Sequence, residues 1–316
     1  MSANNGNEDA QIDLAVLYYE QKDIDKAIQY WLMASDQNNP IAQYNLGQIY
    51  ENGKLIPRDI NKAIYYYTLS ANNNYTRAQV NLAFIYDEGI HIPRDIARAI
   101  YYYSLAAANN NPIAQLNLGA IYNKGDGVNQ DTKKAIYYYS LSADQGTPQA
   151  QFNLGSIYNK GQNVPRDIKK AIYYYTLAAN QNFMQALHNL GHIYYQGTDV
   201  QRDMNKAIFY LTLAAYKNES KSQLILGTIF YDCPFILSNI EKGLFWLLKS
   251  SNNGNVDANF IVGFIYHEGK NVNRDIRKAI HYYKEASSFD HQYAKNKLGV
   301  IYKNGFGEEI TKNVGQ

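Results

Sequence analysis

The chain has 316 residues, 46% of them hydrophobic and 18% charged, with 30 Lys and Arg against 28 Asp and Glu for a net charge of +2. That balance, with no Lys/Arg cluster on a predicted helix face, argues against a nucleic-acid partner. No run approaches the ~18 apolar residues of a membrane span, and Glu8 and Asp9 stand where a signal peptide carries positive charge, so a soluble, cytoplasmic chain with no membrane partner is expected.

A single cysteine, Cys233, forms no internal disulfide, which fits a reducing compartment and leaves stability to packing. The Asn-x-Ser/Thr triplets at Asn74 and Asn218 are read as chance in an Asn-rich sequence.

In chain order, a polar lead precedes a first predicted helix over 10–20. Its link to the next helix, through Lys22 to Asp23, is four residues shorter than later links, which marks 1–38 as an N-terminal capping repeat. From Asn39 the pattern becomes regular. Helix A of each repeat opens at a turn such as Asn39-Pro40, Asn111-Pro112 or Thr147-Pro148, where Asn or Thr caps and Pro fits the first turn. Ala42, Leu46, Ile49 and Tyr50 fall on one helical stripe, and Gly47 admits a close neighbour. The helix stops at a Gly, found at 53, 89, 125, 161, 197, 269 and 305, with Cys233 in that place once.

Helix B starts at Pro57-Arg58-Asp59 and its equivalents, with Asp as N-cap. Its stripe runs Ala63, Tyr66, Tyr67, Ser70, Ala71. Tyr65, Tyr101, Tyr137 and Tyr173 cannot share that face and are placed along a flank of the convex side, as packing groups in preference to a base-stacking platform, which needs a positive groove. The count is nine A helices and eight B helices, the ninth A helix running 293–303 before a polar tail. It is either a terminal cap or is followed by further repeats, and an unpaired end leaves the oligomeric state open.

The small residue opening each A helix recurs at Ala42, Ala78, Ala114, Ala150, Ala186, Ser222, Ala258 and Ala294, a fixed 36-residue period and so a stacked repeat array. The unit resembles the Sel-like repeat family, a cousin of the tetratricopeptide repeat, through Asn153-Leu154-Gly155, Ile157-Tyr158, Gly161, Asp167, Ala171, Tyr174-Tyr175 and Ala178-Ala179. The resemblance covers nearly the whole chain. It implies an all-α, right-handed superhelical solenoid of stacked antiparallel helix pairs, one array over 1–316 with regular repeats at 39–292 and a terminal helix and tail at 293–316. It also implies an adaptor or scaffold for other proteins. One known family role, the adaptor of a membrane-linked ubiquitin ligase in endoplasmic-reticulum quality control, is the runner-up. The secreted, disulfide-stapled branch, with small-molecule binding and hydrolase activity, is disfavoured by the single cysteine.

No catalytic signature is present, so no enzyme activity and no cofactor are expected; His267-Glu268 lacks the second His of a zinc-protease helix. His188 and His192 lie i, i+4 on one helix, the spacing of a metal pair. No third ligand is nearby in sequence, so they are read as groove-lining polar residues with no metal. By resemblance to tetratricopeptide arrays, a concave groove is lined by helix-A columns. One contains Tyr44, Val80, Leu116, Phe152, His188, Leu224, Phe260 and Asn296, and the next Gln48, Phe84, Ala120, Ser156, His192, Thr228, Phe264 and Val300. These columns vary from repeat to repeat, as a binder of an extended peptide or a partner helix requires.

Asn45, Asn81, Asn117, Asn153 and Asn189 form a further column, matching an Asn that some tetratricopeptide domains use to hold a peptide carboxylate. The Lys or Arg of that clamp is missing, and a bond to a neighbouring turn's backbone is the plainer role. The stretch from Ser222 to Glu268 departs furthest from the pattern: Leu237-Ser238-Asn239 replaces Pro-Arg-Asp, Cys233 precedes Pro234 and Phe235, and the Asn column turns to Ile225 and Ile261. Two readings stand there, an apolar contact site built on Phe260 and Phe264, or repacking with Phe245 and Trp246 filling space left by Gly243.

Overall fold

The computed structural model describes residues 7–232 and 237–304. Among these the chain forms seventeen α-helices and no strand, alternating as nine A helices and eight B helices. Two units, Met1–Leu154 and Gly155–Gln316, are described in turn.

The first unit holds α1 (Glu8–Glu20), α2 (Ile24–Asp36), α3 (Pro40–Asn52), α4 (Ile60–Asn72), α5 (Thr76–Glu88), α6 (Ile96–Ala108), α7 (Pro112–Lys124), α8 (Thr132–Asp144) and the start of α9 (Pro148–Lys160). From α1 to α8 each A helix packs on the B helix that follows it, and each B helix on the next A helix. No pair buries both faces by itself, so the core is renewed along the stack. Helix α1 starts before the expected Ala10, because the Asn7 side chain accepts the Ala10 N–H and caps it.

The junctions follow from local chemistry. Asn39 and Asn111 accept two backbone N–H groups each at the start of α3 and α7. Gly125 ends α7 at φ +70°, where a side chain would be strained and a Cβ would meet Gln130. The loop is then pulled back onto the helix it leaves. The N–H groups of Asp59, Asp95 and Asp131 donate to Tyr50, Tyr86 and Tyr122 carbonyls at 3.0, 2.9 and 2.9 Å. The Asp59 carboxylate caps α4 by accepting the Lys62 N–H at 3.0 Å. Asp59→Ala is expected to cost about 1 kcal/mol, read as a shift in the urea midpoint; no shift would show that the loop bond alone fixes this start.

The B helices end at a residue in the left-handed region, and Asn38, Asn74 and Asn110 fill it at φ 60–64°. Asn tolerates this conformation better than most residues. The Asn74 triplet therefore has a backbone reason, as does Asn218 in the second unit at φ 63°.

The Tyr-Tyr-Tyr run divides its labour among three directions. Tyr67, fully buried, lies on Gly47, where a Cβ would approach its ring to 2.5 Å. Tyr66 stacks on Tyr50 of the A helix, rings 5.8 Å apart and 6° from parallel, and Lys62 Nζ lies over the Tyr50 ring at 5.0 Å. Tyr65 remains 58% exposed, its ring edge-on to Tyr66. The stack and the edge-on ring recur at Tyr101–Tyr102 and Tyr137–Tyr138, and Tyr139 lies on Gly119 as Tyr67 does on Gly47, whereas buried Tyr103 belongs to a repeat with Ala83 in the glycine's place.

A buried glutamine ties successive repeats. Gln43 donates to the Ser35 carbonyl in the last turn of α2 and accepts from Asn73 at the end of α4. Gln79 and Gln115 do the same with Ala71 and Asn109, and with Ala107 and Gln145. The short first repeat keeps the bond, Gln37 donating to buried Gln11 at 2.8 Å.

The second unit continues with α10 (Ile168–Asn180), α11 (Met184–Gln196), α12 (Met204–Tyr216), α13 (Ser220–Tyr231), α14 (Leu237–Asn252), α15 (Val256–Glu268), α16 (Ile276–Ser288) and α17 (Gln292–Lys303). Its A-helix glycines are filled in the same way, Gly155 by Tyr175, Gly191 by Leu211, Gly227 by Leu247 and Gly263 by Tyr283. Cys233, Pro234, Phe235 and Gly305 lie outside the described residues.

Candidate functional site

In the first unit, Tyr44, Leu116 and Phe152 of the first column are half-buried. Tyr44 lies with its ring 5.6 Å from Tyr67 and 5.2 Å from Tyr75, and burial pushes its hydroxyl pKa up. The second column is more open. Gln48 lines a cavity of about 170 Å³ with Val16, Tyr19, Trp31 and Asn45, in which the buried Trp31 Nε1 has no partner. Phe84 is 50% exposed at a cavity of about 180 Å³ that also has Glu51, Glu88, Ile85 and Ile90 in its wall.

In the second unit His188 and His192 stack at 6.0 Å. His188 Nδ1 is committed to Ser222 Oγ at 2.8 Å and the Glu219 carboxylate at 3.1 Å. Glu219 is the N-cap of α13. Burial raises its pKa, but the bonds from His188 and Ser222 outweigh that and hold it near about 2. His192 is pushed down by burial and by His188. The pair is thus joined to the next repeat's cap, and among the described residues no group of three His, Cys, Asp or Glu is arranged to hold a metal ion.

Phe260 and Phe264 are 6.5 Å apart but differ in setting. Phe260 is half-buried against the core of α16 and α17, its ring 4.6 Å from His291 and 5.8 Å from Tyr283. Phe264 is 41% exposed and carries Lys297 over its ring at 5.1 Å.

The Asn column has a side-chain partner instead of a backbone one. Asn81 donates to the Tyr67 hydroxyl at 3.0 Å, and Asn117, Asn153 and Asn189 bond Tyr103, Tyr139 and Tyr175. Each tyrosine sits in the preceding repeat's B helix. This explains Ile225 and Ile261: their counterparts are Leu211 and Leu247, which offer no hydroxyl, and both isoleucines pack on the core. The repacking around Gly243 differs from the expected one. Backbone atoms of Tyr231 fill that space, Trp246 is buried beside Tyr216, and Phe245 is 50% exposed under Lys249.

Among the described residues no helix is long and apolar enough to cross a membrane. No curated protein matches the sequence significantly. The solved structure of c5321, a protective antigen of uropathogenic Escherichia coli strains with an SLR fold, is 28% identical with a TM-score of 0.84. The match covers 96% of this chain and 66% of that one. A Sel1 repeat protein from Oxalobacter formigenes is 25% identical with a TM-score of 0.77, over 95% of this chain and 88% of the other. The Sel1 repeat pattern itself matches nine times, at 8–39, 40–75, 76–111, 112–147, 148–183, 185–219, 220–255, 256–288 and 292–316. Its steps fall where the glycine notches, buried tyrosines and capping aspartates recur, and the chain belongs to the Sel1 repeat family.

Proposed function

We propose that the chain is a non-catalytic scaffold that binds an extended peptide or a helix of a partner protein along its A-helix columns. The observation that carries this is the contrast between frame and columns. Frame residues such as Ala63, Leu82, Tyr103 and Leu118 are fully buried, whereas the second column changes chemistry at every step and leaves Phe84 half-exposed. Half-exposed aromatics on a rigid frame suit hot-spot contacts, and several shallow contacts share the affinity. The groove residues are Tyr44, Gln48, Phe84, Leu116 and Phe152 in one unit and His188, His192, Phe260 and Phe264 in the other.

The test is affinity capture with mass spectrometry, using the chain and variants carrying Phe84→Ser and Phe152→Ser as bait. The expected result is loss of the captured partner, with Phe84→Ser alone changing stability by no more than about 0.5 kcal/mol, as for an exposed site. Retention of the partner by both variants would place the contact on another face.

A further inference from the structure

We propose that the cavity beside Phe84 receives the ammonium group of a lysine on the partner segment, an assignment that rests on the A-helix columns being the binding face. The chain carries an occupied version of the same site. In α15, Phe264 and Glu268 are four residues apart, and Lys297 from α17 lies 5.1 Å over the Phe264 ring with Nζ 3.9 Å from the Glu268 carboxylate. In α5, Phe84 and Glu88 have the same spacing on the same kind of helix. The residue corresponding to Lys297 is Asn117, whose amide is bonded to the Tyr103 hydroxyl. Among the described residues no cation lies over the ring of Phe84, which is 50% exposed.

The cavity adds what a lysine needs. Glu51 supplies a second carboxylate, held by the Tyr67 hydroxyl at 2.5 Å, and Ile60, Ile85 and Ile90 line the path for the aliphatic stem. Arg58, also in the wall, has its guanidinium on His91 Nε2 at 2.7 Å. Two carboxylates and an aromatic face against one engaged guanidinium favour a cation.

The test uses the full chain, nitrogen-15 labelled, titrated with the capped pentapeptide Ala-Leu-Lys-Leu-Ala and with its norleucine counterpart. The expected result is a shift of the Phe84, Ile85 and Glu88 amide signals, with the lysine peptide binding several-fold, up to roughly tenfold, more tightly. Phe84→Leu and Glu88→Gln, both exposed and so safe for folding, should each remove most of that preference. Lys297→Met should open the second site and produce new shifts at Phe264 and Glu268.

Equal affinity for both peptides, lost on Phe84→Leu, would show an apolar pocket and overturn the ammonium assignment while leaving the face as the binding face. A preference for Ala-Leu-Glu-Leu-Ala that Arg58→Gln abolishes would overturn it in favour of an anion. Shifts only at other column positions, or none with either peptide, would overturn it as well. Partner capture that still depends on Phe152 would then keep the broader reading.

Discussion

Replacing Tyr139 by Ala is expected to destabilise the first unit by about 3–5 kcal/mol, the usual range for removing a buried aromatic ring. The ring is 2% exposed and lies on Gly119, where a Cβ would come within 2.5 Å of it. Its hydroxyl accepts from Asn153 in the next A helix. One substitution therefore opens a cavity inside one repeat and removes the hydroxyl that the half-buried Asn153 amide meets in the next. Urea unfolding followed by circular dichroism measures the loss. The reciprocal change, Gly119→Ala, forces the ring aside and should cost about 1–3 kcal/mol. If Tyr139→Ala costs under about 1 kcal/mol, the ring is not the part of the frame described here.

A second large effect is expected in alkali. Burial pushes the Tyr139 hydroxyl up to about 12, with the bond from Asn153 working weakly the other way. Burial raises Tyr67, Tyr103, Tyr175 and Tyr283 as well. A folded pKa above the unfolded value of about 10 means the protonated form is bound more tightly in the folded chain. The associated stability is complete below about pH 10 and is lost as pH climbs toward about 12. For Tyr139 alone the difference is about 3 kcal/mol. With several such rings, helical circular dichroism should collapse steeply in that window, together with a late step in tyrosinate absorbance. Titration of all 31 tyrosines as one free class with the helices intact would contradict the buried column.

Helix boundaries were legible in the sequence because their causes are local: a glycine for a left-handed turn, an aspartate for an N-cap, and an apolar stripe at helical spacing. The roles of Asn81 and Gln43 were not, because their partners lie in other helices. Asn81 bonds a hydroxyl fourteen residues earlier, and Gln43 bonds a carbonyl eight back and an amide thirty ahead. Either column read alone shows only a recurring polar residue. Read together, the tyrosine and asparagine columns lose their polar members in step at Leu211 with Ile225 and at Leu247 with Ile261. That paired change in the sequence would have identified the bond, and it removes one reason to see function in the irregular repeat. For the site, periodicity marked which positions vary. Whether such a position is open or filled depends on a neighbour from the next repeat, as Lys297 over Phe264 and the uncovered Phe84 demonstrate.

The glutamine tie has a consequence for how such a chain can change its length. Every bond that Gln43, Gln79 or Gln115 makes reaches no further than an adjoining period. Copying or excising one whole 36-residue unit between equivalent points therefore recreates the same donors and acceptors at the seam, and the new junction is chemically identical to the old. The four-residue shortening of the first link is absorbed in the same way, since the loop shrinks while Gln37 still meets Gln11. An insertion of one or two residues within a helix has no such escape. It rotates the glutamine out of the junction and takes its donor from a buried turn, as Gln43 would be taken from the Ser35 carbonyl, so gene duplication is a far gentler route to new arrays than small insertions are.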